Sequence, residues 1–289
     1  MDPTQLVIGA INGWLQNVAG AVTPPVLKLA GALIFQTPTI PDLPGVKPVW
    51  SLAAGVADVL LVLALMGGGV LIMSSGTFEH QYTTKRLLPR LLLGAVVSNA
   101  SLVLCGTLIA FNNAMVTALV GPRPDDTLWL QISTGLMTPD ASVQLLSSLI
   151  AIVIAILAVL LAVAYLARDV LLVVATVIAP LPLAALSFPP LAGIASLWFR
   201  IYLFALFVQV AEAVLLDIGL QVVGHTDAFG LPALGLLQPI VLVTLLFLSL
   251  RLPFAAYRLA FGHDLSANPT VRSAVRFAVA TGKAVLEAF

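Results

Sequence analysis

Three carboxylates stand in otherwise apolar sequence, Asp58, Glu212 and Asp217. An ionisable side chain at the centre of a bilayer costs about 2.5 to 3.5 kcal/mol, so such residues face a bundle interior or water and mark ion paths, proton relays or subunit contacts. Gln209 and Glu212 lie at i and i+3 and share a helical face, whereas Arg200 falls on roughly the opposite face and reads as an inner-surface anchor. Glu212 is the best single candidate for a buried polar contact, either as a structural pair with another helix or in conduction. A second set runs along one stretch: Asn99, Gly106 and Asn113 recur by sevens, with Asn112 adjacent, and form a small-and-polar stripe. Such a stripe packs helices closely through amide hydrogen bonds, or lines a wet passage or a subunit seam.

Catalytic constellations do not emerge. His80, His225 and His263 fall in predicted loops, and the chain carries no HExxH pair, phosphate-cradling glycine loop or nucleophile elbow. An intramembrane protease needs histidine or paired carboxylates in register with a nucleophile. The expectation is a non-enzymatic protein without catalytic, cofactor-binding or metal-binding residues. Cys105, the single cysteine, cannot form an intramolecular disulfide.

The elements that position these residues belong to a membrane. The run Leu145 to Ala167, LLSSLIAIVIAILAVLLAVAYLA, has no charge and at about 1.5 Å per residue covers the roughly 30 Å hydrocarbon core. Composition agrees: 60% of residues are hydrophobic and 9% charged, against about 25% charged in soluble domains. With 13 basic and 13 acidic residues the net charge is +0, so no global field favours nucleic acid or anionic lipid. The first residues, MDPTQ, carry an acid and no basic residue, which argues against a cleaved secretory signal.

The expected fold is all-α, a polytopic helical membrane protein with about five transmembrane helices, a Pro-broken re-entrant hairpin and amphipathic terminal helices. Residues 1–49 read as an N-terminal amphipathic segment and a Pro-rich linker. Residues 1–35, too interrupted to span, would lie in the interface with Trp14 at headgroup depth, and Thr37 to Val49 would be an extended connector. Residues 50–252 form the transmembrane domain, with spans at Trp50 to Ser74, Leu88 to Val120, Leu145 to Ala167, Leu191 to Val223 and Leu231 to Leu250, the last closed by Arg251. Arg168 and Asp169 read as a boundary at the cytoplasmic surface, and Val170 to Pro190, cut by Pro180, Pro182, Pro189 and Pro190, as the hairpin.

Lys85, Arg86 and Arg90 place the first loop inside, whereas Asp125, Asp126 and Asp140 outweigh Arg123 in the next. Residues 253–289 form a cytoplasmic basic tail. Asn268 and Pro269 open a helix there whose Arg272, Arg276 and Lys283 share one side, opposite Phe277, Ala278, Thr281 and Val285. That side suits anionic lipid, a cytoplasmic protein or nucleic-acid phosphates. Six full crossings with an external C-terminus is the rival topology.

The passage YTTKRLLPRLLLGAVVSNASLVLCGTLIAFNNAMVTAL, Tyr82 to Leu119, resembles the TrbL-like conjugal transfer proteins, polytopic membrane subunits of conjugation and type IV secretion machines. Their basic KxxLPR-like entry leads into a long helix with an asparagine near its start and a polar pair near its end. The stretch Ala167 to Leu220, with ARDVLLVVATVIAPLPLAAL and LWFRIYLFALFVQVAEAVLL, is similar too. The resemblance covers about Trp50 to Leu250; the long soluble C-terminal extension of many relatives has no counterpart in this sequence. It implies an inner-membrane channel or platform subunit, homo-oligomeric, that moves single-stranded DNA or protein across the envelope alongside ATPases and pilin. On that reading Asn99, Asn112, Asn113 and Glu212 lie at subunit contacts or near the passage, and so does Asp58. The competing class is a secondary transporter for a small solute or ion, supported by the Pro-broken segment Ile178 to Pro190 with Asp58 and Glu212.

Overall fold

A computed structural model describes residues 3–74, 84–121, 144–187, 191–224 and 237–261. Their regular structure is entirely helical: α1 Pro3–Phe35, α2 Val46–Ser74, α3 Thr84–Asn99, α4 Ser101–Val120, α5 Gln144–Ile178, α6 Pro180–Ala184, α7 Ala192–Gly224 and α8 Leu237–Phe261, with short 3-10 turns at Ile40–Asp42 and Ala185–Ser187. Five helical stretches are long and apolar enough to cross a membrane, namely Gly9–Phe35, Val46–Gly67, Ser101–Val120, Ser148–Ile178 and Ala192–Val223. This is a polytopic all-α membrane protein.

The membership of that set departs from the expected one. The N-terminal segment is not too interrupted to span: α1 runs unbroken through Pro24 and Pro25 and packs along α5. The start of the span expected from Leu231 lies outside the described residues; from Leu237 on, α8 carries the apolar stretch Pro239–Ala255, and it does not close at Arg251, whose guanidinium lies 4.7 Å from the centre of the Phe247 ring one turn earlier. The connector after α1 is folded rather than extended. Its Thr37 and Ile40 are buried, it turns at Ile40–Asp42, and α2 begins by Val46 after Gly45, which adopts φ +91. The span expected from Leu88 is two helices, α3 and α4, hinged at Ala100.

The largest correction concerns Arg168 and Asp169. They do not end a helix: α5 continues from Gln144 to Ile178, 35 residues, and both charges lie within it. The Pro-broken element therefore begins only at Ala179, where Pro180 opens the short α6; its Pro189 and Pro190 lie outside the described residues. Ser98 donates to the Pro180 carbonyl at 2.9 Å, and Gly94 of α3 lies so close to Ser187 that a Cβ would overlap its hydroxyl.

Among the described residues two large apolar cores divide the bundle, beside a small cluster of Ala57 and Leu61 of α2 with Ala184 of α6. The first gathers Leu27 and Ile34 of α1, Val116 of α4, Ile154 and Leu161 of α5, Leu216 and Leu220 of α7 and Leu242 and Leu246 of α8. The second gathers Ile40, Cys105 and Ile109 of α4, Leu172 and Ala175 of α5, and Trp198, Tyr202 and Leu206 of α7. In the second core Trp198 stacks on Tyr202 at 5.1 Å and donates its ring N–H to the Ala175 carbonyl at 3.1 Å. On each of four segments, the one after α1 and the helices α4, α5 and α7, polar side chains fall between the two cores.

Candidate functional site

That polar layer is the candidate site. Thr37 follows α1, Asn112 and Asn113 lie on α4, Arg168 and Asp169 on α5, and Gln209 on α7. Gln209 falls about 17 residues after the start of its helix, so by rise it sits about 26 Å along it, well inside the apolar length.

Gln209 is the hub. Its Oε1 accepts from the Thr37 hydroxyl at 2.6 Å, Asn112 Nδ2 at 2.7 Å and Arg168 Nη2 at 2.9 Å. Arg168 spends its remaining donors nearby: Nε on the Ala205 carbonyl at 2.7 Å, and Nη1 on the Thr37 hydroxyl at 3.1 Å and on Asp169 at 2.9 Å. The Arg168 and Asp169 side chains each retain 10% of their exposure. Asn113 reads the connector as a strand neighbour would, accepting from the Thr37 amide at 3.0 Å and donating to its carbonyl at 2.9 Å.

The physics explains why these residues meet. A buried guanidinium is tolerated only with a counter-charge and with its planar donors met, and Asp169 supplies the first while Thr37, Gln209 and a helix carbonyl supply the second. The Ala205 carbonyl accepts from Arg168 in addition to its place in the helix. The layer is neutral as a unit and joins four segments distant in sequence. A crevice of about 250 Å³, lined by Phe35, Gln36, Asn113, Ala114, Val116, Thr117 and Gly121, opens beside it.

The other expected residues separate into two places. Asp58 accepts from Asn99 Nδ2 at 2.9 Å, joining α2 to α3, and both residues are exposed on the outside of the chain. Asp58 lies about 12 residues into its span, roughly 18 Å by helical rise. Glu212 stands one turn from Gln209 on α7 but outside the hub: it is 0% exposed, and neither carboxylate oxygen has a hydrogen-bond partner. Asp217 accepts from Gln221 on its own helix at 2.9 Å. Of the stripe, Gly106 packs against the Pro41 ring, whose Cγ lies 3.0 Å from where a Cβ would stand, so the stripe seats the connector. Arg272, Arg276 and Lys283 lie outside the described residues.

Arg168, Asp169 and Thr37 were not expected as site residues, and Gln209 only as a neighbour of Glu212. The available signal was the apolar sequence Val170 to Ile178 after the charged pair, which continues the helix rather than leaving the membrane.

A family described as TrbL/VirB6 plasmid conjugal transfer like protein matches residues 4–288. Comparison with curated proteins finds no match, and neither does comparison with solved structures.

Proposed function

Because the chain belongs to the TrbL/VirB6 plasmid conjugal transfer-like family, as a subunit of conjugation and type IV secretion systems, we propose that it is a membrane-embedded channel or platform subunit through which DNA or protein is moved across the envelope. The family match over residues 4–288 carries this reading. The fold supports it through Asp58 and Asn99. A carboxylate exposed on the outer face of a span is costly against lipid, and a second protein surface or a water-filled passage removes that cost. The polar hub suits a subunit that must hold its helices in one arrangement while other proteins load it.

On this proposal the protein is not an enzyme, sits in the inner membrane, assembles with further copies of itself and works beside transfer ATPases and pilin. The balance of 13 basic and 13 acidic residues fits a conduit that releases its cargo, since a strongly basic lining would hold phosphates tightly.

The test is a transfer assay in the host that carries the chain. Deletion abolishes transfer, the wild-type chain restores it, and Asp58→Leu inserts at the wild-type level but restores transfer poorly. Full transfer by the deletion strain refutes the proposal. Loss of uptake of a small solute with transfer intact would point to the transporter class instead.

A further inference from the structure

Among the described residues two carboxylates are buried, Asp169 in the polar hub and Glu212 outside it. Glu212 projects from α7 between α5 and α8, and its polar neighbours are the hydroxyls of Tyr165 on α5 and Ser249 on α8. Tyr165 is 2% exposed, Ser249 0% and Glu212 0%, and neither the hydroxyls nor the carboxylate oxygens have a hydrogen-bond partner.

Ser249 is telling. A hydroxyl in a buried helix ordinarily bonds back to the carbonyl four residues earlier. Buried Thr176 does so here, to Leu172 at 2.8 Å, as do the exposed Thr117 and Thr244, to Asn113 and Ile240 at 3.0 and 2.9 Å. Ser249 does not, so its oxygen remains available toward the carboxylate.

Four buried oxygens from three helices therefore lie together with no hydrogen bond of good geometry to any of them. Oxygens that share a small hard cation at about 2.4 Å stand about 3.4 Å or more apart, beyond a direct hydrogen bond. Of the described charges on the neighbouring helices, Lys28 of α1 is exposed, and the Arg168 guanidinium lies 6.0 Å from the centre of the Tyr165 ring. From α1 come Leu27, Ala30 and Ile34; Arg168 and Asp169, about one turn along α5 from Tyr165, neutralise each other; Gln209, one turn along α7, has its carbonyl committed to the hub. A bridging water would satisfy the hydroxyls but leave the anion uncompensated, at a cost of several kcal/mol.

We propose that Glu212, Tyr165 and Ser249 form a membrane-depth site for one small monovalent cation, carried as a proton on the carboxylate or as Na⁺ held by the carboxylate and the two hydroxyls. The site gives the bundle a charge-dependent contact among α5, α7 and α8. It stands apart from the transfer reading and does not depend on it.

The experiment is labelling of the full chain in vesicles with dicyclohexylcarbodiimide, an apolar reagent that adds a protonated carboxyl across its carbodiimide and rearranges to a stable acylurea, located by peptide mass spectrometry. Glu212 should label in Na⁺-free buffer at mildly acid pH, while Asp217 and the Glu212→Gln chain serve as controls. Labelling that falls as pH rises, at the same pH with or without Na⁺, identifies the proton as occupant. Labelling suppressed by Na⁺ but not by K⁺ identifies Na⁺. Tyr165→Phe and Ser249→Ala should shift the pH or Na⁺ concentration at which labelling is halved. Absence of Glu212 labelling at mildly acid pH without Na⁺, labelling indifferent to both pH and Na⁺, or an unchanged half-point in both hydroxyl variants overturns the proposal.

Discussion

Replacing Gln209 by Met keeps the side chain's length and removes the oxygen on which three donors converge, at 2.6, 2.7 and 2.9 Å. An interhelical hydrogen bond at membrane depth is worth about 0.6 to 2 kcal/mol, so three give about 2 to 6 kcal/mol. Arg168 keeps Ala205, Thr37 and Asp169 in the variant, so its charge is not abandoned and the loss should fall near 3 kcal/mol. The assay is unfolding of the purified protein in mixed micelles titrated with dodecyl sulfate, followed by helical circular dichroism. Thr37→Val removes one of the same bonds, so a cycle of the two substitutions should show coupling of about 1 kcal/mol or more. If Gln209→Met stays within about 0.5 kcal/mol of wild type, or the two changes simply add, the layer is not cooperative and the reasoning fails.

Other consequences follow from neighbouring contacts. Arg168→Met should destabilise by about 3 to 5 kcal/mol because it leaves Asp169 buried without its partner, whereas Arg168→Met with Asp169→Leu should recover a large part of that in the same titration. Gly94→Ala should cost about 1 to 3 kcal/mol by driving a methyl into the Ser187 hydroxyl, and Ser187→Ala in the same chain should restore part of it. Asp58→Asn should leave the isolated chain within about 1 kcal/mol of wild type, since the Asn99 contact is exposed, while cross-linking to other subunits in native membranes decreases.

The asparagines were legible because polar residues in an apolar run seek partners, and Gln209 accepts from the Asn112 side-chain N–H while Asn113 meets the Thr37 backbone. Arg168 and Asp169 were not, because adjacent charges after an uncharged run have the same pattern as a membrane boundary. What makes them tolerable at depth lies 131 residues away in Thr37 and 41 residues away in Gln209, and no local period encodes that meeting. The class of the fold was carried by hydropathy alone. Membership of the spans was less so: Pro24, Pro25, Asn12 and Gln16 weaken α1 as a sequence, yet α5 offers it a long apolar face. The Pro-rich connector hid its folded character in the same way, since Pro41 acquires its role only when it meets Gly106.

The most direct measurement is isolation of the tagged chain from native membranes after mild cross-linking, with partners identified by mass spectrometry and the mass of the solubilised particle recorded. A large particle containing transfer ATPases, envelope-assembly proteins or pilin is the predicted result. A small particle that carries this chain alone would contradict the account.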